Sequence, residues 1–108
     1  MGLITKITGI YDAAPLKSLL VPEWDETIYY KPLTGMEYDT VREMVGAEAT
    51  GSRHNAQIIV LKSLDKSGVR LFKNTDVDAL SEKGYLATIG RIASAMSVVA
   101  SPEQAAKN

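Results

Sequence analysis

Few residues in this chain have the type and spacing that catalysis needs. His54 is the only histidine, so one chain cannot supply two histidines for a metal ion or a proton relay. It lies between Arg53 and Asn55, and we expect it in an exposed loop or at a helix cap. The chain has no cysteine, which excludes thiolate chemistry and disulfides and fits a reducing compartment.

Three carboxylates surround the only tryptophan of the chain. Glu23, Asp25 and Glu26 flank Trp24, and a glycosidase needs two carboxylates that face each other across a cleft. Neighbours in sequence point in different directions, and no basic residue lies close to them in the sequence. We therefore interpret this cluster as solvated surface.

The remaining short motifs fit structural roles better than chemistry. Asp76 and Asp78 resemble the start of a calcium loop, but its glycine and distal glutamate are missing, and we expect both residues at a helix start. Ser81 and Lys83 do not have the spacing of an acyl-transfer motif. The glycine patterns of phosphate-binding loops do not occur. We expect no catalytic residue, no cofactor and no metal.

Composition limits the class of protein. The 108 residues are 45% hydrophobic and 23% charged, which is typical of one small globular domain. Twelve basic residues balance thirteen acidic ones, which argues against binding to nucleic acid or to an anionic membrane. Tyr29 and Tyr30 could stack on bases, but a strand would send them to opposite faces.

The distribution of apolar residues argues against a membrane protein. The longest apolar run, Ile58–Leu61, is far shorter than the roughly 20 residues that a membrane-spanning helix needs. The first residues lack the apolar stretch of a secretory signal. We expect a soluble, intracellular protein.

The prolines help to divide the first third of the chain. Residues 13–20 predict a short helical turn, because Pro22 pushes Val21 toward an extended conformation. Residues 27–31 combine β-branched and aromatic side chains, which predicts a strand. Pro32 then ends that strand.

A capping box marks the next helix. Thr34 and Glu37 have the spacing at which each side chain bonds the other residue's backbone N–H, so we expect a helix to begin there. Its apolar stripe consists of Tyr38, Val41, Met44 and Val45. Residues 46–53 lose this periodicity and predict a break or a loop.

The secondary structure of the middle of the chain is ambiguous, because its apolar run is short. Residues 55–64 fit a buried strand or a helix, and the spacing of the apolar positions favours the helix, with Lys62 and Ser63 on its outer side. The turn residues 65–68 follow. Residues 69–72 predict a short extended piece whose phenylalanine anchors it in the core.

Two more helices are expected in the last third. Asn74 or Thr75 caps a short helix through Leu80. Residues 84–100 have the clearest helical stripe of the sequence. Residues 101–104 predict a last turn with a serine cap and a proline at its first position.

Together these elements predict an α+β fold that is predominantly α-helical. The small N-terminal β element, with a strand near 27–31 and an extended piece near 69–72, packs with about four to five helices. We expect a single domain over residues 1–108, in which 1–33 form an N-terminal arm and the β element and 34–108 form a helical body.

The order of four segments resembles one family, the tail assembly chaperones of long-tailed bacteriophages. The stretch Val21–Asp39, VPEWDETIYYKPLTGMEYD, is similar to the family's tryptophan-containing lead into a strand and a capped helix. Ser63–Phe72, SLDKSGVRLF, resembles its Asp-x-x-Gly turn that ends on phenylalanine. Asp76–Lys83, DVDALSEK, is similar to its short acidic helix, and the closing AAKN resembles its Lys-Asn ending.

The resemblance implies a non-enzymatic, homo-oligomeric protein of the host bacterial cytoplasm. Such proteins coat the tape-measure protein, are displaced as the tail tube polymerises, and are absent from the mature virion. The major tail tube protein is a second candidate partner. The alternatives are a structural tail-tube or tail-completion protein retained in the virion and, third, a small enzyme working at a subunit interface.

The resemblance also suggests a second product. Family members often have a longer form made by ribosomal frameshifting, and Ala106-Lys107-Asn108 can be encoded as GCA AAA AAC, which contains the slippery heptamer A AAA AAC. The codons GCG AAG AAT would exclude a slip there, so the last three codons decide this hypothesis.

Four residues are our candidates for the partner or oligomer interface. Exposed aromatic anchors dominate the free energy of many protein interfaces, and a long amphipathic helix can add aliphatic contacts. On this basis we expect the contacts to involve Trp24, Tyr29, Tyr85 and Ile89.

Overall fold

The computed structural model describes residues 2–98. Five helices and one antiparallel pair of strands occur in this range, which confirms the expectation of a predominantly helical α+β fold. Their order is α1 (Leu3–Ala13), β1 (Lys17–Val21), β2 (Glu26–Tyr30), α2 (Gly35–Val45), α3 (Gly51–Lys62), α4 (Val77–Lys83) and α5 (Leu86–Ser97).

The N-terminal β element is a hairpin. Lys17 pairs with Tyr30 and Val21 with Glu26, and a 3-10 turn at Pro22–Trp24 joins the strands. The prediction of a helical turn over residues 13–20 is therefore wrong, because the second half of that stretch, residues 17–20, lies in β1. Pairing with β2 holds residues 17–21 in an extended conformation and overrides their local preference for a helical turn. The sequence of one strand alone does not reveal that pairing.

The second strand confirms the prediction near residues 27–31, shifted by one residue to Glu26–Tyr30. Residues 69–72 do not form a strand. Within residues 2–98, only Arg70 of this piece makes a bridge, with Leu64, which also bridges Tyr29. The predicted turn before it is present, since Asp65 accepts hydrogen bonds from the backbone of Ser67 and Val69.

One predicted helix start follows its capping signal, and a second helix begins at a cap that was not predicted. The Thr34–Glu37 capping box is confirmed, with reciprocal hydrogen bonds of 2.9 and 3.2 Å. Of the residues 55–64 that were predicted as a helix, 55–62 belong to α3, which ends at Lys62. This helix starts earlier, because Thr50 caps it by accepting from Arg53 N–H, so the predicted loop over residues 46–53 is shorter.

The last two helices differ from their predicted bounds. Helix α4 runs to Lys83, past the predicted end at Leu80, whereas α5 is shorter than predicted. A 3-10 turn at Asn74–Asp76 precedes α4, and the Asp76 carboxylate accepts from Lys73 N–H at the start of that turn. The predicted side-chain cap of Asn74 or Thr75 on α4 is not present among the described residues. Helix α5 begins at Leu86, two residues after the predicted start at Gly84. Helix α5 ends at Ser97 and Val98 is extended, so the predicted continuation to residue 100 is wrong at Val98. Residues 99–100 and the last turn predicted at 101–104 lie outside the described residues.

Helices α3 and α5 and the hairpin share one core. The hairpin contributes Val21 and Ile28, and the helices contribute Ile59, Ile92 and Met96, all of them buried. Lys62 and Ser63 were expected on the outer side of α3, but both are buried, so that prediction is wrong. None of the helices within residues 2–98 combines the length and the apolar character that a bilayer crossing requires.

Candidate partner-binding surface

Helix α1 carries a stripe of apolar side chains that the described chain leaves uncovered. Leu3, Ile4, Ile7, Ile10 and Tyr11 recur at helical spacing and are 40% to 71% exposed. None of the eleven residues of α1 is buried against residues 2–98. Burying one such aliphatic side chain contributes about 1.5–3 kcal/mol, so a partner that covers the stripe gains several such contributions.

Lys31 holds the C-terminal end of α1 against the hairpin. Its ammonium lies 4.5 Å from the centre of the Tyr11 ring, where the π electrons of the ring attract a cation. It also donates a 2.9 Å hydrogen bond to the Tyr11 carbonyl oxygen. Helix α1 was not predicted, although the helical spacing of the apolar residues between positions 3 and 11 is a signal for it in the sequence.

A shallow apolar groove runs beside α4 at the turn of the hairpin. Its volume is about 510 Å³. The rings of Trp24 and Phe72 meet edge to face with 6.4 Å between their centres, an arrangement that aromatic pairs favour. Both rings are half-buried against the core. We call this feature the α4 groove and define it by Trp24, Phe72, Asp76, Ala79, Leu80 and Lys83.

The predicted interface residues near α5 fall in different environments. Tyr85 precedes the helix and is 81% exposed, whereas Ile89 lies one turn inside it and is 1% exposed in the core. Ile89 therefore offers no surface to a partner in this conformation. Leu86, next to Tyr85, is 73% exposed and is an apolar surface residue that was not among the predicted contacts.

Tyr29 lies beside the α4 groove and outside it. Its backbone exchanges two hydrogen bonds with Leu64, of 2.9 and 2.8 Å, and its half-buried side chain lines a separate hollow of about 420 Å³ with Leu20 and Leu71. Leu71 also borders the α4 groove. Two of the predicted residues, Trp24 and Tyr29, thus lie at adjoining hollows.

Glu23 lies on the surface and is paired with a basic residue of α5. The Arg91 guanidinium donates two hydrogen bonds to its carboxylate, of 2.7 and 2.9 Å, and the Thr88 hydroxyl donates a third of 3.0 Å. These bonds, with that of Arg91 first, lower the pKa of Glu23 to about 2. Glu23 is exposed, in keeping with the interpretation as solvated surface, but folding brings a basic residue next to it that is distant in the sequence.

His54 lies in α3 and not in an exposed loop. It occupies the first turns of the helix, and its ring meets the Tyr38 ring at 66° with 5.3 Å between centres. Its Nε2 atom is buried and has no hydrogen-bond partner among residues 2–98. The two rings line an open cleft of about 860 Å³ between α2 and α3.

The comparisons with known proteins found no relative of this chain. No protein-family model, curated protein or solved structure matches this chain. Within residues 2–98, no three histidine or acidic side chains are grouped so that they could hold a metal ion. The stripe of α1 and the α4 groove are therefore the features of the described chain that suit a binding role best.

Proposed function

We propose that this chain is a non-catalytic tail assembly chaperone that self-associates in the host bacterial cytoplasm and coats the tape-measure protein. The growing tail tube displaces it, with the major tail tube protein as its second partner, and the finished virion lacks it. The resemblance of Val21–Asn108 to that family supports the proposal from the sequence.

The structural observation that carries the proposal is the uncovered stripe of α1. Exposed apolar patches on small proteins commonly mark contacts with other proteins. A long, partly helical scaffold has apolar stripes of its own, which associate indiscriminately until the tube encloses them. A small protein with an apolar arm and an apolar groove is suited to cover them.

The size of the chain suits a reversible coat. Each copy offers a contact no larger than a short helix or a shallow groove, so each contact is weak. Many linked copies bind well because association raises their effective concentration. Tube subunits can then displace single copies one after another without an energy source.

Co-expression with the candidate client tests the proposal. The client is the product of the very long gene expected close to this one in the genome. We expect that client to stay in the soluble fraction and to copurify with the wild-type chain, and to aggregate when it is expressed alone. A client that is equally soluble without this chain, or that does not copurify with it, contradicts the proposal.

A matched pair of variants links the result to α1. Ile7→Asp puts a charge into the apolar stripe, and Thr5→Asp puts the same charge on the opposite side of the same helix. We expect the first variant to lose the client and the second to keep it.

Mass spectrometry of purified virions distinguishes the chaperone from the alternative, a structural protein that stays in the virion. A structural tail-tube or tail-completion protein contributes abundant peptides to the finished particle, whereas a displaced chaperone does not. Abundant peptides from this chain in virions would reject the chaperone proposal in favour of that alternative.

A further inference from the structure

We propose that the outer edge of β1 binds an extended segment of a partner protein that carries an arginine or a lysine. The segment adds as a strand beside β1 and places its basic side chain at the hollow that Leu20, Tyr29 and Leu71 line. This inference goes beyond the proposed function, because it concerns a surface other than the stripe of α1.

The hydrogen bonds of Tyr29 show which residues of β1 turn their backbone groups outward. Tyr29 N–H donates to the Leu64 carbonyl oxygen and its own carbonyl accepts from Leu64 N–H, at 2.9 and 2.8 Å, so both groups point away from β1. Opposite residues of an antiparallel pair alternate between hydrogen-bonded and non-hydrogen-bonded pairs. Ser18 pairs with Tyr29 and is therefore not hydrogen-bonded to β2. The N–H and carbonyl groups of Ser18, and of Leu20 two residues on, point to the outer edge of β1.

This edge is open in the described chain. None of the backbone hydrogen bonds that join different elements of residues 2–98 involves Ser18 or Leu20, and both residues are exposed. An unpaired strand edge binds extended peptides through main-chain hydrogen bonds, while the side chains beside it select the sequence. Only two residues of β1 face outward, so we expect a weak and reversible contact with one short segment.

Leu20 connects the edge to a hollow with an acidic rim. Its backbone lies at the edge, and its side chain, 63% exposed, lines the hollow of about 420 Å³ beside Tyr29 and Leu71. We call this feature the hairpin hollow. Its charged residues are Asp25, Glu26, Asp65 and Lys66. Three carboxylates against one ammonium give the hairpin hollow an excess of negative charge.

The hairpin hollow fits a long basic side chain. Lysine and arginine pack their aliphatic stems on apolar surface and keep the charged end in water, which matches an apolar floor with an acidic rim. Within residues 2–98, no salt bridge neutralises Asp25, Glu26 or Asp65. Long side chains reach diagonal neighbours on the adjacent strand, so a basic residue opposite Leu20 reaches this rim.

A peptide of simple design tests the inference on the whole wild-type chain. The probe Thr-Val-Arg-Val-Thr, blocked at both ends, favours a strand and places its arginine and its valines on opposite faces. In an NMR titration of the isotope-labelled chain, we expect the amide signals of Ser18 and Leu20 to shift and their hydrogen exchange to slow. The control Thr-Val-Glu-Val-Thr should bind about tenfold more weakly, because its charge is that of the rim.

N-methylation of the probe separates strand addition from a general attraction of charges. When the arginine pairs with Leu20 in an antiparallel strand, its N–H faces β1 and the N–H groups of both valines face solvent. A methyl group on the arginine nitrogen should therefore lower the affinity by about tenfold, and one on the second valine should change it by less than about twofold.

Two matched pairs of variants test the same contact from the side of the chain. Ser18→Pro removes an outward N–H, which an edge strand tolerates, and should weaken binding of the arginine probe by about tenfold; Ser18→Ala keeps the N–H and should bind normally. Glu26→Lys should abolish the preference for arginine over glutamate in the probe. Glu48→Lys makes the same charge change in the exposed loop before α3 and should keep that preference. Circular dichroism compares the folding of all variants.

Other outcomes overturn the inference. They are unchanged signals of Ser18 and Leu20 on addition of the arginine probe, equal effects of the two methyl groups, and equal affinities for the arginine and glutamate probes. Slow exchange at Ser18 and Leu20 without any peptide also overturns it, since the chain itself covers the edge if it is a monomer and a second copy does so if it is a dimer. If Ser18→Pro does not fold, the methylated probes still decide the question on the wild type. Because α1 is unchanged and no client is present, these results leave the co-expression test of the proposed function independent.

Discussion

At the residue scale, Glu23 shows how one contact joins distant parts of the chain. It lies in the turn of the hairpin and accepts from Arg91, 68 positions away in α5. The sequence places only acidic residues and a tryptophan near Glu23, so its partner could not be inferred. Pairing between residues far apart is decided by packing, which brings α5 against the hairpin.

The pKa of Glu23 predicts how stability depends on pH. Folding lowers this pKa from 4.5 to about 2, so the stabilising contribution is complete above about pH 4.5 and is lost as the pH falls toward 2. The pKa of Glu37 is also lowered, against the effect of its burial, by hydrogen bonds from Lys62 and the Thr34 backbone. We expect the free energy of unfolding, measured in urea, to fall over this pH range.

A matched variant assigns part of that dependence to Glu23. Glu23→Gln should be less stable than the wild type at neutral pH, and the difference should shrink as the pH approaches 2. Glu26→Gln is the control, because Glu26 has no ion-pair partner within residues 2–98. If Glu23→Gln keeps the full acid dependence of the wild type, the Arg91 contact does not stabilise the fold in this way.

At the element scale, local signals predicted some helices well and interactions between elements decided the rest. The Thr34 capping box and the period of residues 55–64 depend on neighbours in sequence, and both predictions are confirmed. The burial of Lys62 does not depend on such neighbours. Its ammonium donates to both Glu37 oxygens, at 2.9 and 2.8 Å, so the same carboxylate that caps α2 allows a lysine at the inner end of α3.

The junction of α4 and α5 depends on the absence of a side chain at Gly84. A Cβ atom there would lie 2.6 Å from the Leu80 carbonyl oxygen and 2.7 Å from Ile89 Cδ1. Such crowding forces the backbone or the core to shift, so Gly84→Ala should cost about 1–3 kcal/mol of unfolding free energy.

Gly90 provides the control in the next helix. No atom of residues 2–98 that would crowd a Cβ lies within 4 Å of that position, and alanine in a helix interior is favoured over glycine by about 0.5–1 kcal/mol. We expect Gly90→Ala to raise the free energy of unfolding in the same urea titration that shows the loss for Gly84→Ala. Equal effects of the two changes would mean that the junction is not sterically constrained.

At the scale of the whole molecule, residues that look alike in sequence divide between the core and the surface. Of the predicted contact residues near α5, Tyr85 is exposed and Ile89 is buried, because Tyr85 is the extended N-cap residue that precedes the helix and so does not lie on the stripe that carries Ile89. The helical stripe was visible in the sequence, but which end of it faces solvent depends on where α5 meets the hairpin and α3. The α4 groove could not be predicted, since it forms between the hairpin turn and α4.

Alanine substitutions at Trp24 and Tyr85 should therefore separate folding from binding. Trp24→Ala removes half-buried packing against Phe72 and should cost about 2 kcal/mol or more of unfolding free energy. Tyr85→Ala removes an exposed ring and should change stability by less than about 0.5 kcal/mol. The measurement is urea unfolding followed by circular dichroism, because Trp24 is the only tryptophan and fluorescence would be lost with it.

If Tyr85→Ala lowered the free energy of unfolding more than Trp24→Ala does, Tyr85 would be the packed residue and Trp24 the exposed one. If Tyr85→Ala keeps the fold and also weakens capture of the client, Tyr85 belongs to the binding surface. If it keeps both, the binding surface is confined to other residues.

The hairpin has one more consequence, for how this molecule avoids aggregation. Within residues 2–98, β1 pairs along its length only with β2, so its outer edge presents free backbone groups of the kind that recruit further strands. Pro15 and Pro22 bracket this edge, Lys17 begins it, and it is five residues long. Proline cannot donate to a growing ladder and lysine opposes close stacking. A protein that exposes so many apolar side chains thus has a short, guarded edge that disfavours irreversible growth by strand addition.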